Sequence, residues 1–398
     1  LLDASLAAGG MGFSSSWAKT HNDAAGDMVP SRYASEEELV ELCGVVRDHP
    51  GTTLEFIPCV GMFEDYAADL MTRMSLAANR PINWNVLFVS KGNNAMTDHN
   101  LAASDYAAER GAKVLALTMP AAPSPRICFD SGFFLDTIPG WEKPMALPHD
   151  EKLAMLSSPD GRQTLRDLAA QPSTGFASTN WGIYIINETF APENAQWEGK
   201  SVAEIAKARG VDEFDALLDI VVADDLMKGF GFPMRPEDDD EWQARMKVWR
   251  DNRAVVGASD AGAHLDFLAT FNYSTVLLGG PVRARKLMPI EEAVRLLTDV
   301  PARLYGVKER GRLVEGWHAD IVVIDPETVG AQPVRMRFDL PTGAPRLFGG
   351  ADGIDHVIVN GTEIVDHGEF TDARPGTLFR SGRDTETVSV PGGNGTGT

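Results

Sequence analysis

Between residues 35 and 120 the chain switches repeatedly between two hydrophobic periods. SEEELVELCGVVRDH sets Leu39, Leu42, Cys43 and Val46 at helical spacing behind a Ser35–Glu38 capping pair. TTLEFIPCV at residues 52–60 is then β-branched and apolar, as a buried strand is. Residues 63–79 return to the helical period. INWNVLFV at 82–89 is a second strand, residues 100–112 form a helix closed by Gly111, and KVLALTMP at 113–120 is a third strand. A strand and a helix every ~30 residues is the pattern of parallel pairing, because a parallel partner is reached only through a long, right-handed crossover. The spacing predicts an α/β fold.

Outside that stretch the signals are more varied. Residues 1–8 read as the end of a helix stopped by Gly9 and Gly10, with a short strand at 11–13. Residues 121–200 lose the rhythm in a segment rich in Pro, Gly, Phe and Trp, with helices expected at 149–156 and 159–170, and read as an insertion. Helices resume at 201–225 and in DDEWQARMKVWRDN, leading into a strand at 253–258. PIEEAVRLLTDVPARLYGV is a helix with Pro301 near its end. Beyond Gly306 the period falls to two and an Asn360-Gly361 turn appears. The expected division is therefore a β/α unit at 1–305, a small all-β module at 306–384 and a disordered tail at 385–398.

Charge narrows the partners. With 57 acidic against 36 basic residues, the net charge is -21, which argues against nucleic acid or an anionic membrane, both of which need basic patches. Three cysteines without CxxC spacing make a disulfide framework unexpected and a reducing cytoplasm the default location. No apolar run reaches the ~18 residues of a membrane span. The chain opens on LLDASLAAGG without an initiator Met, as though reading began inside a helix, and an N-terminal truncation is expected.

The most informative local feature is VVGASDAGAHLDFLATFNYS at 255–274, where a buried strand ends in polar residues set among glycine and alanine. In a β/α barrel the reactive groups sit at such strand ends. Asp260 there could ligate a metal or move a proton for an attacking water; it could equally cap the next helix. His264, four residues on, could bind a substrate carboxylate or simply start that helix. Glu55 shares an alternation phase with Thr53 and Ile57, and Asn83 and Asn85 share another; these side chains could line a site and a metal, or hydrogen-bond one another across adjacent strands. Arg32 and Tyr33 precede the capped helix, and a guanidinium is well shaped for a substrate carboxylate, though a surface ion pair is the alternative. The eight histidines form no compact ligand cluster along the sequence, and His318, His356 and His367 fall in the β module, away from the expected chemistry.

VVGASDAGAH, together with PIEEAVRLLTDVPARLYGVKERGRLVEGWHADIVVIDP, resembles the end of the amidohydrolase superfamily, more narrowly the N-acyl-D-amino-acid deacylase (D-aminoacylase-like) family. GMGFSSS, SRYASEEEL and KSVAEIAKARGVDEFDALLDIVVADD are similar to it as well. The resemblance implies an incomplete (β/α)8 TIM-like barrel with a small C-terminal β-sandwich. It also implies hydrolysis of an amide C–N bond in a small-molecule N-acyl amino acid by water activated by a divalent metal, zinc in the first instance, and by an aspartate matching Asp260. Asp260 and Glu55 are the candidate metal ligands, and Arg32, Tyr33, Asn85 and His264 the candidate substrate contacts. Two features depart from the family pattern: the chain holds no HxH pair, and the strands LEFIPCVG and NWNVLFVS carry no histidine. A non-catalytic barrel that binds a small molecule is the competing expectation, and a homo-oligomer is left open.

Overall fold

The computed structural model describes residues 1–23, 25–120, 125–171, 177–233, 238–260, 262–263 and 265–394. After a short helix α1 (Leu2–Ala7), the chain alternates β1 (Gly12–Ser16), α2 (Glu36–Arg47), β2 (Thr53–Ile57), α3 (Tyr66–Ala78), β3 (Ile82–Leu87), α4 (Asn94–Ala108) and β4 (Val114–Thr118). Ser35 caps α2 by accepting from the Glu38 amide, as the capping pair predicts. All four strands pair in parallel in sequence order, and a later strand completes an open five-stranded sheet beside β4. One face of the sheet is apolar because α2 and α3 lie on it: Leu39, Cys43, Val46, Leu70 and Met74 pack against Leu54, Phe56, Ile82, Trp84, Val114 and Ala116. Strand alternation sends the intervening residues to the opposite face.

Between β4 and that later strand lies a compact insertion with its own core. It contains α5 (Glu142–Met145), α6 (His149–Ser157), α7 (Pro159–Ala169), β5 (Ile185–Glu188), α8 (Val202–Arg209), α9 (Glu213–Ala223) and β6 (Gly229–Gly231). Its aromatic centre joins Phe129, Trp141, Tyr184, Phe214 and Phe230. The insertion thus reaches past the expected limit at residue 200: α8 and α9 bury their apolar faces in this core, and β6 pairs antiparallel with β5. Then α10 (Asp239–Trp249) leads to β7 (Ala254–Val256), the last strand of the parallel sheet, followed by α11 (Tyr273–Leu277), α12 (Ile290–Leu297) and α13 (Asp299–Leu304).

The C-terminal part is antiparallel. Strand β8 (Ile321–Ile324) precedes four short strands, β9 (Gly330–Ala331), β10 (Arg335–Arg337), β11 (Arg346–Phe348) and β12 (Ala351–Asp352). Strands β13 (Ile354–Val359), β14 (Thr362–Asp366) and β15 (Glu369–Phe370) then form a four-stranded sheet with β8, in the order β15-β14-β13-β8. The tail does not run free from residue 385. Thr385 is buried and donates to the Gly51 carbonyl, the Glu386 amide bonds Gly306, Val390 is 1% exposed, and the Gly392 amide bonds Gly111. Backbone and side-chain hydrogen bonds hold this segment to the rest of the chain, and a composition-based reading cannot register them; residues 395–398 lie outside the described residues. Among the described residues no helix is long and apolar enough to cross a membrane.

Candidate active site

The face of the sheet opposite α2 and α3 divides in two. Under β4 and β7 it is apolar, where Leu115, Leu117 and Val255 meet Val300 and Leu304 of α13 and Tyr305 just past it. Under β2 and β3 it is polar. Register puts Ser14, Glu55 and Asn83 side by side across β1, β2 and β3. Asn85 Nδ2 donates to Glu55 Oε1 at 2.5 Å, and the Tyr305 hydroxyl donates to Asn83 Oδ1 at 3.3 Å. The Asn85–Glu55 contact, between adjacent strands, is of the kind the alternation pattern allowed. Asn85 Oδ1 is buried with no hydrogen-bond partner. The Asn83 amide nitrogen faces the Glu55 carboxylate without completing a well-formed hydrogen bond.

Asp260 stands four residues past the end of β7, on the side where all five parallel strands end. The Gly257 amide still bonds the Thr118 carbonyl at 2.9 Å, and the chain then leaves the sheet through two left-handed residues, Ala258 (φ 62) and Asp260 (φ 51). An alanine in that conformation costs about 1–2 kcal/mol, so the turn is held against its own preference. Thr270 Oγ1 helps by donating to the Ser259 carbonyl between them. The Asp260 side chain is exposed, at the open end of the sheet, yet close enough to act on Glu55. Burial, foremost, pushes the Glu55 carboxyl above its ordinary range; the Asn83 amide opposes this and the Asp260 charge adds to it.

The remaining candidates fall in different places. Arg32 Nη1 donates to the His21 carbonyl and to Asn22 Oδ1, at 3.1 and 2.8 Å, so its guanidinium fastens the loop that follows β1. His21 Nδ1 in turn lies 2.8 Å from Ser16 Oγ at the end of β1. Tyr33 is 68% exposed. His264 lies outside the described residues. Tyr305, which no motif singled out, belongs to the polar group: burial foremost, then the charges of Glu55 and Tyr273, raise its phenol. Its only sequence signal was an aromatic residue at the end of the PARLYGV helix.

The chemistry available is that of two carboxylates within electrostatic reach, one enclosed and amide-bound, the other open to solvent and to the strand-end loops. The donors on this face are oxygens. Among the described residues no group of three or more histidine, cysteine or carboxylate ligand atoms gathers there, so the histidine-rich set that suits zinc is not assembled, while the two mutually repelling carboxylates suit a divalent cation bound through oxygen.

A sequence profile of the amidohydrolase family (Amidohydro_3) matches residues 10–365. The N-acyl-D-glutamate deacylase of Alcaligenes xylosoxydans xylosoxydans is 32% identical over 210 residues, 52% of this chain and 38% of that protein. The N-acyl-D-aspartate deacylase of the same organism is 37% identical over 109 residues, 27% of this chain and 20% of that one. Two solved structures share the fold. A D-aminoacylase superposes with a TM-score of 0.51 at 21% identity, covering 93% of this chain and 63% of its own. An N-acyl-D-glutamate deacylase from Bordetella bronchiseptica, complexed with zinc and a phosphonate inhibitor, gives 0.51 at 22%, covering 95% and 64%. The chain therefore spans less than two thirds of the length of these relatives. The parallel sheet with its helical layer and these neighbours fit a TIM-like architecture.

Proposed function

The chain belongs to the amidohydrolase family, and from that premise we propose that it serves hydrolysis of a non-peptide amide C–N bond, deacylating N-acyl-D-amino acids. The observation that carries the reading is the placement of Asp260 at the strand ends within electrostatic reach of Glu55. Asp260, solvent-exposed at the strand ends, takes a proton from the attacking water and returns it to the leaving nitrogen. Glu55, fixed by Asn85, supplies a second negative charge beneath it. Asn85 Oδ1 is left as an acceptor for a substrate N–H. Arg32 positions the loop after β1, Tyr33 lies on that loop's open side, and His264 is the candidate partner for the substrate carboxylate. The acidic side chains named in the two curated relatives make N-acyl-D-glutamate and N-acyl-D-aspartate the first substrates to try.

Glu55 and Asp260 would hold the divalent ion that the family implies, which when bound would polarise the amide carbonyl and acidify water. We read the C-terminal antiparallel sheet as the family's small β-sandwich. The test is Asp260→Asn, which suits the left-handed backbone at this position as well as aspartate does. Hydrolysis of N-acetyl-D-glutamate, followed by release of the free amine, should fall by about 10²–10⁴-fold with the urea midpoint unchanged. Undiminished turnover in this variant would remove Asp260 from the mechanism.

A further inference from the structure

We propose that His356, Asp366 and His367, with Glu363 beside them, form a binding site for a borderline divalent cation such as Zn²⁺ on the C-terminal sheet, separate from the strand-end carboxylates. One ligand atom from each of the first three lies within 4.8 Å of the others. His356 Nδ1 is 3.5 Å from Asp366 Oδ1, and His367 Nε2 is 3.8 Å from the same oxygen. Four ligands at the ~2.0–2.1 Å of zinc–nitrogen and zinc–oxygen bonds stand about 3.3 Å apart on a tetrahedron, so small side-chain rotations close these three around one ion. Glu363 Oε1, now 2.7 Å from His356 Nδ1, is placed to be the fourth donor once that nitrogen turns its lone pair to the metal. Two imidazoles and two carboxylates are the mixed nitrogen and oxygen set that zinc accepts.

A pair of imidazole–carboxylate hydrogen bonds would hold the strands together just as well, but it does not account for where His367 sits. The sheet has two two-residue turns. Asn360-Gly361 joins β13 to β14 with φ 48 and 78, using the residues such a turn prefers. His367-Gly368 joins β14 to β15 with φ 46 and 82, placing a histidine where asparagine or glycine is favoured. The cost is local, and what it achieves is an imidazole 4.8 Å from the His356 ring, tilted at 63°. The site is open, with the His367 side chain 83% exposed, and a net charge of -21 concentrates cations at the surface.

The experiment is calorimetric titration of the full chain, stripped with a chelator, with ZnCl₂ at pH 7.5. His367→Asn restores the residue the turn prefers, so it folds; His356→Gln is the second variant. Loss of an outer-shell partner alone weakens metal sites ~10–100-fold, so loss of either imidazole is expected to weaken one equivalent of zinc by more than that. Glu55→Gln and Asp260→Asn should leave this equivalent in place, which separates it from any ion at the strand ends. Wild-type affinity and stoichiometry in both histidine variants, or absence of any zinc equivalent in the wild type, would overturn the proposal.

Discussion

Replacing Asn85 with leucine keeps the side-chain volume and removes the amide that holds Glu55. Asn85 Nδ2 donates to Glu55 Oε1 at 2.5 Å, and a hydrogen bond to a charged group contributes ~1.5–3 kcal/mol where a neutral one gives ~0.5–1.5. Both side chains are half-buried, so solvent screens part of this, and about 1–2 kcal/mol is the expected loss at pH 8. The pH dependence fixes the sign. Burial, foremost, raises the Glu55 carboxyl in the folded chain, so the native state keeps this proton to a higher pH than the unfolded state does. The stability owed to this group is therefore complete below the ordinary glutamate range and is lost as pH rises through the raised folded value. Removing a donor to the carboxylate deepens that loss, so Asn85→Leu should cost more at pH 8 than near pH 4.5, where only a neutral hydrogen bond disappears. Urea denaturation at the two pH values, run as a double-mutant cycle with Glu55→Gln, measures it. In the Glu55→Gln background the cost should shrink to that of a neutral hydrogen bond at both pH values. An equal cost in both backgrounds and at both pH values would show that Asn85 does not hold an ionised carboxylate.

Two further outcomes follow from buried cations. Arg80 is 2% exposed and donates to the carbonyls of Thr52, Ala78, Asn79, His49 and Arg47, tying the ends of α2 and α3 to the start of β2. Arg80→Met should therefore destabilise by ~3 kcal/mol in urea denaturation. Lys228 is fully buried with Nζ on the Glu188 carbonyl, and burial pushes its ammonium from 10.5 down to about 7. The unfolded chain then binds the extra proton between these values, so wild-type stability gains a rising component from about pH 7 to 10.5. Lys228→Met should flatten that slope in urea midpoints taken across the window.

Legibility from sequence followed a physical line: what a residue's own period decides was visible, and what another element decides was not. The strand–helix alternation of residues 35–120 announced the parallel units because each burial face repeats within its own segment. The same alternation set Asn83 and Asn85 in one phase and Glu55 in another, and it took the register between β2 and β3 to bring them to one face. α4 begins at Asn94 where a start at residue 100 was expected, because Thr97, Asn100 and Ser104 are buried along it and small polar residues leave no apolar stripe. α8 and α9 were expected as helices, but a helical period does not say which core receives the helix, so their membership in the insertion could not be read. The histidine cluster is the sharpest case. The Asn360-Gly361 turn pairs Val359 with Thr362 and Ile358 with Glu363, and an unbroken ladder would carry His356 opposite Val365. A register shift between Val357 and Ile358 moves the pairing by one residue, so that His356 faces Asp366 instead. Because side chains alternate faces, that single step decides whether Asp366 stands with the two imidazoles or on the other side of the sheet. A bulge of this kind leaves no mark in composition or spacing, and so a ligand set lying within twelve residues of sequence was read as scattered.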